Sequence, residues 1–134
     1  MRRALPFLLL FIGLPALLLS KEVETYISRI GATGVQRVEI TGGSYFFRPG
    51  RIVVKAGVPV ELVLKSESAI IPHNFVLKSP EAGIDISVRL EREPTTLRFT
   101  PAKSGQLTFY CDKKFFLLKS HREHGMEGTI EVVP

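Results

Sequence analysis

Nine short segments, at residues 35–40, 45–47, 51–55, 58–65, 74–78, 84–90, 95–100, 106–111 and 129–133, are rich in Val, Ile, Phe and Thr. Turn residues separate most of them: Gly42-Gly43, Pro49-Gly50, Gly57, Ser79-Pro80, Pro94, Pro101 and Gly105. Branched and aromatic side chains suit a pleated, half-buried surface, and Gly and Pro end such runs by supplying or fixing turn geometry. Clean alternation in Ile84-Asp85-Ile86-Ser87-Val88-Arg89-Leu90, in Leu97-Arg98-Phe99 and in Thr129-Ile130-Glu131-Val132 turns one face inward and the other to water. This pattern predicts an all-β chain packed as a β-sandwich. Helix is scarce: residues 23–29 are expected to form a short one, and residues 113–120 read either way. With 134 residues and no internal repeat, low-complexity tract or linker, the chain makes one domain.

The first twenty residues read as an address. Arg2 and Arg3 precede residues 4–19, an uncharged and almost wholly apolar run that ends at Ser20, Lys21 and Glu22. This is the pattern of an export signal. As a helix the run would reach roughly 24 Å, short of a hydrocarbon core of about 30 Å, and Pro6 and Pro15 weaken it further. Cleavage is therefore the leading expectation, leaving residues 21–134 as the working domain. Leu18 is too large for a good cleavage site, which keeps an uncleaved N-terminal anchor as the second reading. Either way the domain is expected to be periplasmic or otherwise extracytoplasmic. Without Arg2 and Arg3, 16 basic residues face 13 acidic ones, too diffuse an excess to argue for nucleic acid.

The chain has one cysteine, which excludes an intrachain disulfide, a Cys₄ zinc site and clusters needing several thiolates. Cys111 closes a predicted strand, and His121, His124 and Met126 follow before the last strand begins. His73 stands at the start of its own strand and joins them if both lie at one end of the sandwich. Taken singly, a free Cys is most often a buried packing residue, and the same holds for a lone Met or His. Taken together, a thiolate, two imidazoles and a thioether are the trigonal Cys-His₂ set with a weak axial Met that marks blue copper. Zinc has little use for Met126. Of the two downstream histidines, His121 ranks first on its five-residue step to Met126, leaving His124 as a solvent-edge residue or a supporting partner.

These residues resemble the cupredoxin family over most of residues 21–134. The stretch from Tyr45 to Val60 looks like the family's first hairpin, and Pro72-His73-Asn74-Phe75 looks like its upstream ligand motif. Phe109-Tyr110-Cys111 and His121-Arg122-Glu123-His124-Gly125-Met126-Glu127-Gly128 look like the downstream half. The resemblance implies a Greek-key sandwich with one copper near one end, held by His73, Cys111, His121 and Met126. It also implies that Asn74 ties the ligand loops together by hydrogen bonds; a plain turn former is the other reading of that residue.

One departure is clear. Nine residues separate Cys111 from His121, more than in the well-known electron carriers. The enlarged loop has no second Cys for a dinuclear centre, and the chain has no His-x-His or His-Cys-His cluster for oxidase or nitrite reductase chemistry, so no enzyme activity is expected. Glu123 or Glu127 replacing Met126 is a further alternative. Phe115-Phe116-Leu117-Leu118 reads either as a plug folded back over the sandwich or as an apolar collar around the metal. With Lys113, Lys114 and Lys119 beside it, the collar would offer a docking or membrane-facing surface.

Two functions emerge. The first is a monomeric electron carrier of the cell envelope serving a redox protein. The second is a copper carrier, store or delivery protein for an envelope oxidase using the same ligands. Membrane association is expected through residues 4–19 or the Phe115–Leu118 loop, and a metal-free interaction module is the remaining reading.

Overall fold

The computed structural model describes residues 22–134, so the signal or anchor expected at residues 1–20 lies outside the described residues. Among the described residues, ten strands form two sheets. They are β1 (Thr25–Ile27), β2 (Gln36–Gly43), β3 (Phe46–Arg48), β4 (Arg51–Lys55), β5 (Val60–Ser66), β6 (His73–Ser79), β7 (Ile84–Leu90), β8 (Thr95–Phe99), β9 (Gly105–Tyr110) and β10 (Glu127–Val133). The larger sheet has the order β1-β4-β10-β9-β6-β7 and the smaller one β3-β2-β5-β8. The chain crosses from β5 to the β6–β7 hairpin, returns to place β8 antiparallel beside β5, and crosses again to lay β9 antiparallel beside β6. That path is a Greek key, and its crossovers also leave β2 parallel to β5 and β10 parallel to β4.

The core lies between the sheets. Val38 and Ile40, Ile52 and Val54, and Ile130 and Val132 sit two apart on their strands and are all buried, as the two-residue period requires. Each such side chain contributes roughly 1.5–3 kcal/mol by leaving water. Central β5 adds Val60, Leu62 and Leu64, and β6 adds Phe75 and Leu77. An aromatic group crosses the gap: the Phe109 ring lies 5.0 Å from Phe75, stacked, and 5.2 Å from Phe47, edge-on.

Two expectations need correction. Residues 23–29 do not form a helix: Thr25–Ile27 is an edge strand parallel to β4, with Thr25 opposite Arg51 and Ile27 opposite Val53. Thr25, Tyr26 and Ile27 favour extended backbone, and the open edge of β4 supplies the hydrogen-bond partner that a short helix would lack. Phe115–Leu118 does not plug the sandwich: the four side chains are 76, 81, 84 and 62% exposed, as an outward docking or membrane-facing surface requires. The ambiguous stretch around them is turn and irregular backbone, with Leu118 N–H bonded to the Phe115 carbonyl at 3.0 Å.

Candidate metal centre

The sandwich brings one end of several strands together. His73 opens β6, Cys111 directly follows β9, and His121 opens the turn that leads through Met126 into β10. All four are buried. The Nδ1 atoms of His73 and His121 lie 3.2 Å apart, and Cys111 Sγ lies 3.5 Å from His121 Nδ1. One donor atom from each of His73, Cys111 and His121 falls within 4.8 Å of the other two. His124 is exposed and outside this group; its ring lies 4.5 Å from Tyr45, whose other contact is the His121 ring at 5.3 Å, edge-on.

Met126 is tied to the donors through its backbone. Its N–H donates to the His121 carbonyl at 2.9 Å, and its carbonyl accepts the Cys111 N–H at 3.1 Å. Its side chain packs against β2 where the sheet presents Gly42: a Cβ there would stand 3.3 Å from Met126 Cε and 2.6 Å from Leu90 Cδ1. The carboxylates that could compete with Met126 are engaged elsewhere. Glu123 accepts the Ser120 N–H at 2.6 Å, and Glu127 pairs with Arg122 at 3.0 Å.

Asn74 does more than form a turn. Its amide nitrogen donates to Asp112 Oδ1 at 2.7 Å, its amide oxygen accepts the Asp112 N–H at 3.0 Å, and its own backbone N–H points at Cys111 Sγ at 3.4 Å. The strand carrying His73 is thereby locked to the one carrying Cys111. The enlarged loop is closed at its base, because His121 N–H donates to the Lys113 carbonyl at 2.8 Å. Residues 114–120 are therefore an excursion, and His121 sits beside Cys111 as it would on a shorter loop. Ser120 and Glu123 complete the arrangement as a capping box: Ser120 Oγ accepts the Glu123 N–H at 3.2 Å while the Glu123 carboxylate accepts the Ser120 N–H. The Ser-x-x-Glu spacing was visible in the sequence and would have identified this turn; Tyr45 beside the histidines carried no comparable signal.

Burial favours the neutral form of each donor. It pushes the Cys111 thiol up, against the opposing pull of the Asn74 and Lys113 N–H groups. It pushes both imidazoles down, assisted at His73 by His121 and opposed there by Glu67, and assisted at His121 by His124. Two imidazoles and a thiol thus face one another in buried positions, and the His73 Nε2 has no hydrogen-bond partner. A cation that accepts lone pairs from soft and borderline donors satisfies such a cluster, and this donor set fits copper.

Neither a family model nor a curated protein sequence matches the chain. Solved structures do match its fold. The metal binding domain of the Cu(I) exporting P-type ATPase CopA from Streptococcus pneumoniae D39, determined with Cu(I), aligns with a TM-score of 0.58 at 21% identity, over 84% of this chain and 99% of that one. Auracyanin A, a blue copper protein from Chloroflexus aurantiacus, aligns with a TM-score of 0.55 at 21% identity, over 75% of this chain and all (100%) of that one. A chain of a heme-copper terminal oxidase dimer aligns with a TM-score of 0.58 at 18% identity, over 76% of this chain and 67% of that one. The fold is cupredoxin-like.

Proposed function

We propose that this chain is a mononuclear copper protein that carries electrons in the cell envelope. His73, Cys111 and His121 would hold the metal in a trigonal set and Met126 would act as a weak axial ligand. The observation that carries this reading is the convergence of two imidazole Nδ1 atoms and one thiol sulfur within 4.8 Å at the end of a rigid sandwich. Bound copper supplies reversible one-electron chemistry. The protein's part is to hold mixed soft and nitrogen donors in one geometry that suits both oxidation states and to keep water away from the thiolate.

The rigidity of the site favours electron transfer over copper delivery. A mobile ligand arm was the best argument for delivery, yet His121 lies outside the loop excursion, fixed by the Lys113 carbonyl and the capped turn. A heme-copper oxidase in the envelope is a suitable redox partner, a suggestion supported by the oxidase chain of similar fold.

Titration with Cu(II) tests the reading. An intense visible thiolate-to-copper band at one copper per chain, abolished in Cys111→Ser, is expected; a band that survives Cys111→Ser overturns the ligand assignment. Reversible voltammetry of the loaded protein separates electron carriage from copper delivery.

A further inference from the structure

We propose that the 114–120 excursion seats the metal end of the domain on an anionic lipid bilayer, with Phe115, Phe116, Leu117 and Leu118 entering the interface.

The protrusion has an interfacial composition. Four consecutive large apolar side chains are 62–84% exposed at the tip of a turn whose base is closed by the His121–Lys113 hydrogen bond. Lys113, Lys114 and Lys119 flank them, and residues 113–119 contain no acid. Apolar side chains reaching beyond a collar of ammonium groups match a surface where hydrocarbon lies beneath anionic headgroups, and lysine stems can lie along the apolar boundary while their charges stay in water. Ile70, 92% exposed, and Ile71 precede His73 and add apolar surface to the loop just before β6. A protruding run of this kind enters a fluid medium without needing a complementary pocket.

The chain's point of entry favours the same orientation. Glu22 and Val23 line a cleft together with Tyr45, Gly125 and Glu127, so the described chain begins at the metal end. The apolar run of residues 4–19 lies immediately upstream in sequence. If that run is retained at a membrane, the short connection through residues 20 and 21 brings the metal end toward the same surface. A partner protein with an apolar patch inside an acidic rim offers a similar match, but it gives no reason for the chain to enter at the same end.

The chain has no tryptophan, so a single introduced one reports on its own surroundings. The full chain carrying Phe116→Trp is mixed with vesicles of phosphatidylcholine and phosphatidylglycerol in equal parts. A second full chain carrying Lys103→Trp, in the turn before β9 at the opposite end, serves as the reference. The expected result is a blue-shifted emission quenched by brominated lipid for Phe116→Trp and an unchanged emission for Lys103→Trp. Adding Lys114→Gln and Lys119→Gln is expected to weaken the response by about fivefold per lysine. Leu117→Trp gives the same readout from the neighbouring position. Unshifted emission at both loop positions overturns the proposal even if the chain sediments with the vesicles. So does an equal shift at position 103, or a loop response seen only with a protein partner.

Discussion

Met126 holds the least constrained role among the four proposed ligands. It is expected to tune copper without being needed to retain it, because the weak axial donor adds to three stronger ones. Met126→Leu is expected to leave copper bound and to raise the reduction potential in voltammetry, since loss of a donor destabilises Cu(II) more than Cu(I). An unchanged potential would point to another axial group or to none. The cluster of His73, Cys111 and His121 was legible in the sequence because Cys and His are few and their spacing is restrictive. Residues that shape the site without donating were not. Gly42 leaves room for Met126 and Leu90, and Gly128 lies opposite Phe109 in the β9–β10 register, where a Cβ would stand 2.6 Å from the Gly50 carbonyl oxygen and closer still to the Phe109 ring. A glycine in a strand signals close approach, but the approaching group is set by register between strands far apart in sequence.

Among the elements, the capped turn from Ser120 to Gly125 carries a direct test. Ser120→Ala removes the acceptor for the Glu123 N–H and is expected to lower stability by about 1 kcal/mol, measured by thermal or denaturant unfolding. Faster copper loss to a chelator is expected to accompany it, because the same turn presents His121. The smaller sheet offers a test by pH. Glu61 on β5 receives Arg98 Nε at 2.7 Å and pairs with Arg37 on β2, and these guanidinium groups, Arg98 foremost, hold its carboxyl below the usual glutamate range. A lowered carboxylate pKa in the folded protein means stability that is present above the ordinary glutamate value and lost as pH falls through the folded one. The melting temperature is therefore expected to drop in acid, and Glu61→Gln to flatten that part of the profile. The bounds of β4 and β7 were legible to the residue, and those of β8 and β10 to within two residues. β1 was not, because all three of its residues are exposed and its identity comes from pairing with β4.

Across the whole molecule, the site is a property of topology. His73, Cys111 and His121 come from sequence positions up to 48 residues apart and meet because β6, β9 and β10 lie side by side. The sandwich could be read from spacing, and the shared end could be read only through family resemblance, since period and turn signals do not specify strand order. A metal held by all three segments ties folding to binding, because the unfolded chain offers the same donors without their geometry. At free copper a hundredfold above its dissociation constant, the folded state gains about 2.7 kcal/mol. For a domain of this size that corresponds to a rise in melting temperature on the order of 10 °C. The rise is expected in the wild type and in His124→Ala, where the lost ring lies beside Tyr45 outside the donor group, and it is expected to vanish in Cys111→Ser and His121→Ala. Calorimetry across these four chains checks the topology as well as the ligands: an equal rise in all of them would mean that copper binds somewhere other than the junction of β6, β9 and β10, and a rise lost in His124→Ala but kept in His121→Ala would exchange the roles of the two downstream histidines.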